Sequence, residues 1–133
     1  MTTEPFTSFR AAIARHEKLP ALLTIAAAPS GDGAVVIRSA APEPTGALDQ
    51  ARLLERYVTE HDLRVSVLMA GAESGVRALT ASAVLTAVLD EVRSRDLRWV
   101  AFSRLDRVSR RPATAIEFMR ELHSSAVDLH VAH

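Results

Sequence analysis

Residues 97–112 read LRWVAFSRLDRVSRRP: an apolar run, then four arginines and one aspartate within eight residues, then a proline. The apolar run is typical of a buried strand, and proline suits the first turn of a helix. We therefore predict a strand at 97–103, a loop that holds the arginines, and a helix that begins at Pro112. In that helix Ile116, Met119 and Leu122 are expected to face inward.

The same alternation of strand and helix extends in both directions from this unit. We predict a helix that begins at Gly46, a strand at 63–70, a helix at 80–95 and a last strand at 127–132. Alternating strands and helices are typical of parallel βαβ units with right-handed crossovers. The fold class predicted is therefore an α/β three-layer domain, with a central, mostly parallel sheet of four to five strands flanked by helices.

The N-terminal third of the chain is less regular. A short amphipathic helix is predicted from Pro5 to about Glu17, with its inward-facing residues Phe6, Phe9, Ala12 and Ile13. Two apolar runs separated by PSGDG follow, which predicts a strand pair or a strand followed by a loop. Pro42 and Pro44 are expected to lie in a loop, since proline lacks an amide hydrogen and restricts the residue before it.

Length and composition limit the possible classes of protein. A chain of 133 residues suits one domain. The chain has no cysteine, which excludes disulfides, zinc–thiolate sites and cysteine nucleophiles and indicates an intracellular, cytoplasmic protein. Its start has no secretory pattern, and no run approaches the ~20 apolar residues of a membrane span. Sixteen basic residues balance sixteen acidic ones, so any anion site has to be local.

The arginine cluster of residues 104–111 offers such a local site. Ligands of parallel sheets bind at the carboxyl ends of the strands, where this cluster lies. Arg107 and Arg110 are three residues apart, so two guanidinium groups beside a helix start would form a phosphate clamp. The alternative is that Asp106 pairs with Arg110 and the other arginines are solvated. Fifteen of the sixteen basic residues are arginine, which weakens the signal of any one of them.

A family resemblance adds to this interpretation. The segment VAFSRLDRVSRRPATAIEFMRELHSSAVDLHVAH resembles serine recombinases such as resolvases and invertases, which carry Leu-Asp-Arg-Leu/Val-Ser/Gly-Arg between a strand and a helix. The likeness covers about residues 34–132, which divides the chain into an N-terminal helix and strand extension, 1–33, and a catalytic-type domain, 34–133. We expect the two parts to form one folded unit, in which the extension could cover an edge of the sheet.

The resemblance implies a chemistry and a set of residues. In this family a serine hydroxyl attacks a DNA phosphodiester, and arginines bind the scissile phosphate, whose transition state fixed cations stabilise. Arg107 and Arg110 match the two motif arginines, and Arg38 in VVIRSAA matches the arginine of Arg-Val-Ser. Gln50 fits a glutamine of the first helix.

Three more arginines are expected to contact DNA or phosphate. Arg104 and Arg111 flank the motif, and Arg77 is near a further family arginine, whose gap-free position holds Ser82.

The chain departs from the family at the nucleophile. Ala40 stands at the serine position, and Ser39, one residue away, is expected to point to the opposite face of its strand. Two hypotheses follow. The favoured one is an inactive domain that acts as a DNA- or phosphate-binding or protein-interaction module. The alternative is an active recombinase or invertase subunit that cleaves DNA through Ser39 together with partner subunits.

Cofactors and partners are predicted from the same residues. The five histidines are dispersed, so we predict no metal, and no cofactor is indicated. We expect DNA as a possible partner, a protein partner or a homo-oligomer, and no membrane. Family members continue past the last strand into a long dimerising helix and a DNA-reading module, and this sequence stops at His133, so recombination by this polypeptide alone is not expected.

Overall fold

The structure is a computed structural model that describes residues 8–26, 30–41 and 44–133. A short 3₁₀ turn, Leu79–Ala81, precedes the third helix. The helices and strands are, in chain order, α1 (Phe9–Ala14), β1 (Leu23–Ala26), β2 (Gly33–Ser39), α2 (Pro44–Glu60), β3 (Val65–Ala72), α3 (Ala83–Arg95), β4 (Trp99–Phe102), α4 (Leu105–Val108), α5 (Pro112–Ser124) and β5 (Asp128–Val131).

The five strands form one sheet in the order β1-β3-β2-β4-β5. Strand β2 pairs in parallel with both β3 and β4, and β4 pairs in parallel with β5. Strand β1 pairs antiparallel with β3 and occupies that edge of the sheet. The predicted fold class, a mostly parallel sheet flanked by helices, is confirmed.

Strand β2 lies at the centre and contributes side chains to both layers. Ala34 and Val36 belong to the core formed with α3 and α5, whereas Val35 and Ile37 belong to the core formed with α1 and α2. Seven consecutive buried residues in β2 are what a strand covered on both faces requires. Because successive side chains alternate, Arg38 points toward the α3 and α5 layer and Ser39 toward the α2 layer.

Several predicted details are wrong. Pro44 begins α2 instead of lying in a loop, because a proline at the first helical position loses no hydrogen bond. Of the two alternatives predicted around PSGDG, the strand pair is not formed, since β1 pairs with β3. Ile116 is 47% exposed, and Phe118 lies in the core beside the predicted Leu122. Met119 is only partly buried against that core.

Other details of the N-terminal region agree with the structure or fall outside it. Phe9, Ala12 and Ile13 are buried, as the helix pattern predicts. Phe6 and Pro42 lie outside the described residues. None of the helices in the described part of the chain has the length and apolar character needed to cross a membrane.

Candidate phosphate-binding site

The carboxyl end of β2 supplies the first arginine of the predicted site. Arg38 is buried, and its guanidinium group makes three hydrogen bonds within the protein. Its Nε donates to Oε2 of Glu73 at 2.6 Å, its Nη1 to the carbonyl oxygen of Val108 at 2.7 Å, and its Nη2 to the carbonyl oxygen of Ser74 at 3.2 Å. Arg38 thus connects β2, the loop after β3 and the end of α4.

Glu73, immediately after β3, is the counterion of Arg38. The Oγ of Ser82, the N-cap of α3, donates to the same Oε2 atom, and the backbone N–H of Val84 donates to Oε1 at 3.3 Å. Each oxygen of this buried carboxylate therefore has at least one donor. A carboxylate beside the first turn of a helix is also stabilised by the helix dipole.

Gln50 of α2 holds the backbone of Arg38 from the other layer. Its Oε1 accepts from the backbone N–H of Arg38 at 3.2 Å, and its Nε2 donates to the carbonyl oxygen of Arg38 at 3.0 Å. The amide side chain thus satisfies both backbone groups of one residue at the end of β2. This contact gives Gln50 a structural reason to be buried.

The arginine loop runs from the end of β4 to the start of α5. Arg107 belongs to the short helix α4, which ends at Val108 and is followed by Ser109, whose backbone is extended. The backbone N–H of Arg110 donates to the carbonyl oxygen of Gly75 at 2.8 Å, and the Oγ of Ser109 donates to the same oxygen at 3.1 Å. The loop is therefore anchored to the loop that follows β3.

Gly75 also lets the side chain of Arg110 approach closely. A Cβ atom at Gly75 would lie 3.0 Å from both Cγ and Cδ of Arg110. The aliphatic part of Arg110 thus packs over the backbone at Gly75, which directs the side chain to the same edge of the sheet as Arg38.

Three of the predicted arginines meet at one small cleft. Its walls are formed by Arg38, Ala40, Glu73, Gly75, Asp106, Arg107 and Arg110, and its free volume is about 40 Å³. Pockets for small organic ligands measure about 300–1,000 Å³. The cleft is therefore of a size for the oxygen atoms of an anion and not for a nucleobase.

The three arginines of this cleft differ in their ion pairs and hydrogen bonds. Arg38 is paired with Glu73, whereas Arg107 and Arg110 take part in no ion pair within the described residues. The Nε of Arg107 is buried and finds no hydrogen-bond acceptor among the residues that the structure describes. A buried guanidinium N–H without an acceptor is costly, and an anion in the cleft would supply one.

Ala40 and Ser39 lie on different sides of this arrangement. Ala40 is exposed and lines the cleft with the arginines. The Oγ of Ser39 lies 3.4 Å from where a Cβ of Gly46, in α2, would stand. Between Ala34 and Ser39 the β2–β3 register is regular, so no bulge turns Ser39 toward the arginines.

The remaining predicted arginines do not line the cleft. Arg77 is exposed, and its Nη1 reaches the carbonyl oxygen of Ala81 at 3.5 Å. Arg104 forms an exposed pair with Asp106 at 3.6 Å, and Arg111 is the exposed N-cap residue of α5. The alternative pairing of Asp106 with Arg110 is therefore not what the structure contains.

A larger groove adjoins the cleft, and Asp106 and Arg110 belong to both. It measures about 690 Å³ and is lined mainly by α4 and the first half of α5, including the exposed Leu105 and Ile116. Elsewhere, the described ranges contain no group of three His, Cys, Asp or Glu side chains arranged to hold a metal ion.

Comparison with protein families identifies the chain. The family model described as the resolvase N-terminal domain matches residues 37–133, about three quarters of the sequence. The chain belongs to this family. The resemblance to serine recombinases is thereby confirmed for the resolvase-family part of the chain. No curated protein shows a significant match to it.

Solved structures with the resolvase-family fold are similar to this chain at low identity. The C-terminal catalytic domain of ISC1926 TnpA, an IS607-like serine recombinase, is 20% identical with a TM-score of 0.65, over 76% of this chain and 67% of that one. The corresponding domain of IS1535 TnpA is 22% identical with a TM-score of 0.58, over 74% and 69%. The first open reading frame of transposon ISC1904 from Sulfolobus solfataricus P2 is 11% identical with a TM-score of 0.58, over 77% and 67%.

Sequence reasoning missed Glu73. The residue stands alone in the segment AGAESG, without a periodic pattern or a motif to mark it. Its position was nevertheless informative: β2 and β3 are parallel neighbours, so residues that follow their carboxyl ends meet at one edge of the sheet. An acid after β3 and an arginine at the end of β2 are thus placed to pair.

Proposed function

We propose that this resolvase-family domain binds a phosphate of the DNA backbone through Arg107 and Arg110 and does not cleave it. The observation that carries the proposal is the composition of the cleft. Two arginines without ion-pair partners in the described residues converge there beside the methyl group of Ala40, and the hydroxyl of Ser39 lies across the strand.

The binding half of the proposal follows from the chemistry of the guanidinium group. Arginine donates planar, paired N–H groups that match phosphate oxygens, and such charge-assisted hydrogen bonds are stronger than neutral ones. The buried Nε of Arg107 lacks an acceptor in the described part of the chain, and Arg110 is exposed at the mouth of the cleft. A DNA phosphate at the cleft would supply hydrogen-bond acceptors to both residues.

The proposal that the domain does not cleave DNA follows from Ala40. Covalent catalysis requires an oxygen, sulfur or nitrogen nucleophile within reach of the phosphorus atom. A methyl group supplies none. The alternative hypothesis, cleavage through Ser39 with partner subunits, requires the end of β2 to rotate and lose the hydrogen bonds of Gln50 and of the β2–β3 ladder.

A binding measurement with matched variants tests the proposal. We expect wild-type protein to retain a labelled duplex oligonucleotide at low salt, and Arg107→Ala with Arg110→Ala to abolish that retention. Arg52→Ala with Arg56→Ala is the control, because both residues are exposed on α2, in the opposite layer, and the same charge is removed. Equal retention by the two double variants would refute the role of the cleft.

The protein partner or homo-oligomer and the cytoplasmic location are further proposals that rest on the sequence. Light scattering coupled to size exclusion, with and without duplex DNA, measures the oligomeric state directly. A monomer under both conditions would argue against the oligomer.

A further inference from the structure

We infer that Glu73 acts as a built-in counterion that occupies Arg38, so that Arg38 positions the arginine loop while Arg107 and Arg110 bind the anion. The inference rests on the proposed function, since it assigns roles within the same cleft. It changes the role that the family resemblance implies for Arg38, from a phosphate ligand to a positioning residue.

The guanidinium group of Arg38 is already occupied by partners within the protein. Its side chain is 2% exposed, and that of Glu73 is 1% exposed. One guanidinium nitrogen is bonded to the carboxylate and the other two to backbone carbonyl oxygens. A phosphate that bound Arg38 would have to displace a buried carboxylate, leaving that charge without its partner.

Glu73 is held in place and cannot easily move aside. Ser82 and Val84, both at the start of α3, donate hydrogen bonds to its carboxylate. The carboxylate is therefore held between the arginine on one side and the first turn of a helix on the other. Rotation away from Arg38 would leave the hydroxyl of Ser82 and the N–H of Val84 without this acceptor.

Arg38 is connected to Arg107 and Arg110 through the backbone of the arginine loop. Its Nη1 donates to the carbonyl oxygen of Val108, which lies in the chain between Arg107 and Arg110. The bond fixes the point where α4 ends and the extended segment begins. Arg38 thus holds the loop in the conformation that turns Arg107 and Arg110 to the same cleft.

Substitution of Glu73 tests the inference because it is expected to strengthen DNA binding, whereas damage to the fold would weaken it. In Glu73→Gln the side chain keeps its shape and loses its charge, so Arg38 becomes a third uncompensated cation in the cleft. We expect tighter binding of a labelled duplex oligonucleotide, with the slope of log K against log salt steeper by about 0.9, the value for one added phosphate contact. Glu60→Gln, at an exposed position of α2, is the control for net charge.

A second variant tests the same inference without leaving a buried charge unpaired. Arg38→Gln with Glu73→Gln removes both charges of the pair together with the bond from Arg38 to Val108. We expect weaker binding, because the arginine loop loses this support, with an unchanged salt slope, because no phosphate contact is removed. Unchanged affinity, or a salt slope shallower by about 0.9, in this variant would overturn the inference, and so would an unchanged slope in a folded Glu73→Gln protein. Absence of binding by the wild-type protein would instead refute the proposed function, so the two failures are distinguishable.

Discussion

The Nε of Arg38 and the Oε2 of Glu73 lie 2.6 Å apart, in a position where neither side chain is more than 2% exposed. This ion pair joins the carboxyl ends of two neighbouring parallel strands at the edge where ligands of such sheets bind. It therefore determines both how the edge is held together and how much positive charge is left for a ligand.

Removal of Arg38 alone is expected to destabilise the fold strongly. Arg38→Met leaves the carboxylate of Glu73 buried without its cation, which costs about 3–5 kcal/mol. Urea unfolding at equilibrium measures the change. Arg93→Met is the matched control, since Arg93 is 58% exposed and its ion pairs on the surface contribute about 0–1 kcal/mol. A cost for Arg38→Met as small as that of the control would contradict this account.

Gln50 is expected to stabilise the end of β2 through its two hydrogen bonds. Gln50→Leu preserves the size of the side chain but leaves the backbone N–H and C=O of Arg38 without this partner, at a cost of about 1–3 kcal/mol. Thermal unfolding followed by circular dichroism measures it. Arg56→Leu, which adds the same residue at an exposed position of α2, should change stability by no more than about 0.5 kcal/mol.

A side chain at Gly33 is expected to destabilise the fold. A Cβ at this position would lie 1.8 Å from Cε2 of Trp99, so Gly33→Ala forces the indole ring to move and costs about 1–3 kcal/mol. Trp99 is the only tryptophan of the sequence, and its fluorescence reports the displacement directly.

Gly46→Ala provides the opposite case. Among the described residues its added Cβ meets only the Oγ of Ser39, at 3.4 Å, and alanine is favoured over glycine in a helix by up to about 1 kcal/mol. We expect Gly46→Ala to be neutral or stabilising with unchanged fluorescence. Equal losses of stability in the two variants would show that the contact with Trp99 is not the cause.

Ser39 is expected to play no part in cleavage. A suicide duplex that traps covalent intermediates should give no adduct with the wild-type protein, and Ser39→Ala should bind the same duplex as tightly as wild type. Denaturing electrophoresis detects any adduct. An adduct that forms with wild type and disappears in Ser39→Ala would establish the alternative, catalytic hypothesis.

The main features of the fold could be predicted because each one has a local signal. The apolar run before the arginines, the proline after them and the helical spacing of 80–95 each predict one element, and their alternation predicts a parallel sheet. Parallel strands end at a common edge, so the meeting of Arg38 with Arg107 and Arg110 also follows. Their functional roles stay predictions.

The details that failed depend on contacts that local patterns do not contain. Pro44 suits both a loop and the first turn of a helix, and only packing selects between them. The inward face of α5 contains Phe118, whereas Ile116 is exposed, so the buried face of the helix is rotated slightly from the predicted one. Glu73 pairs with a residue 35 positions away, and no spacing rule within the segment AGAESG indicates that partner.

The side-chain N–H resonances of arginine provide the most direct test of phosphate binding in the cleft. Each Arg Nε–H gives its own signal in a ¹⁵N spectrum, and Arg107→Lys and Arg38→Lys identify two of them. On titration with a short duplex oligonucleotide at low salt, the Arg107 signal is predicted to shift in proportion to bound DNA, while the Arg38 signal stays in place. A shift of Arg38 with Arg107 unmoved, or no shift of either at saturating DNA, would contradict the account.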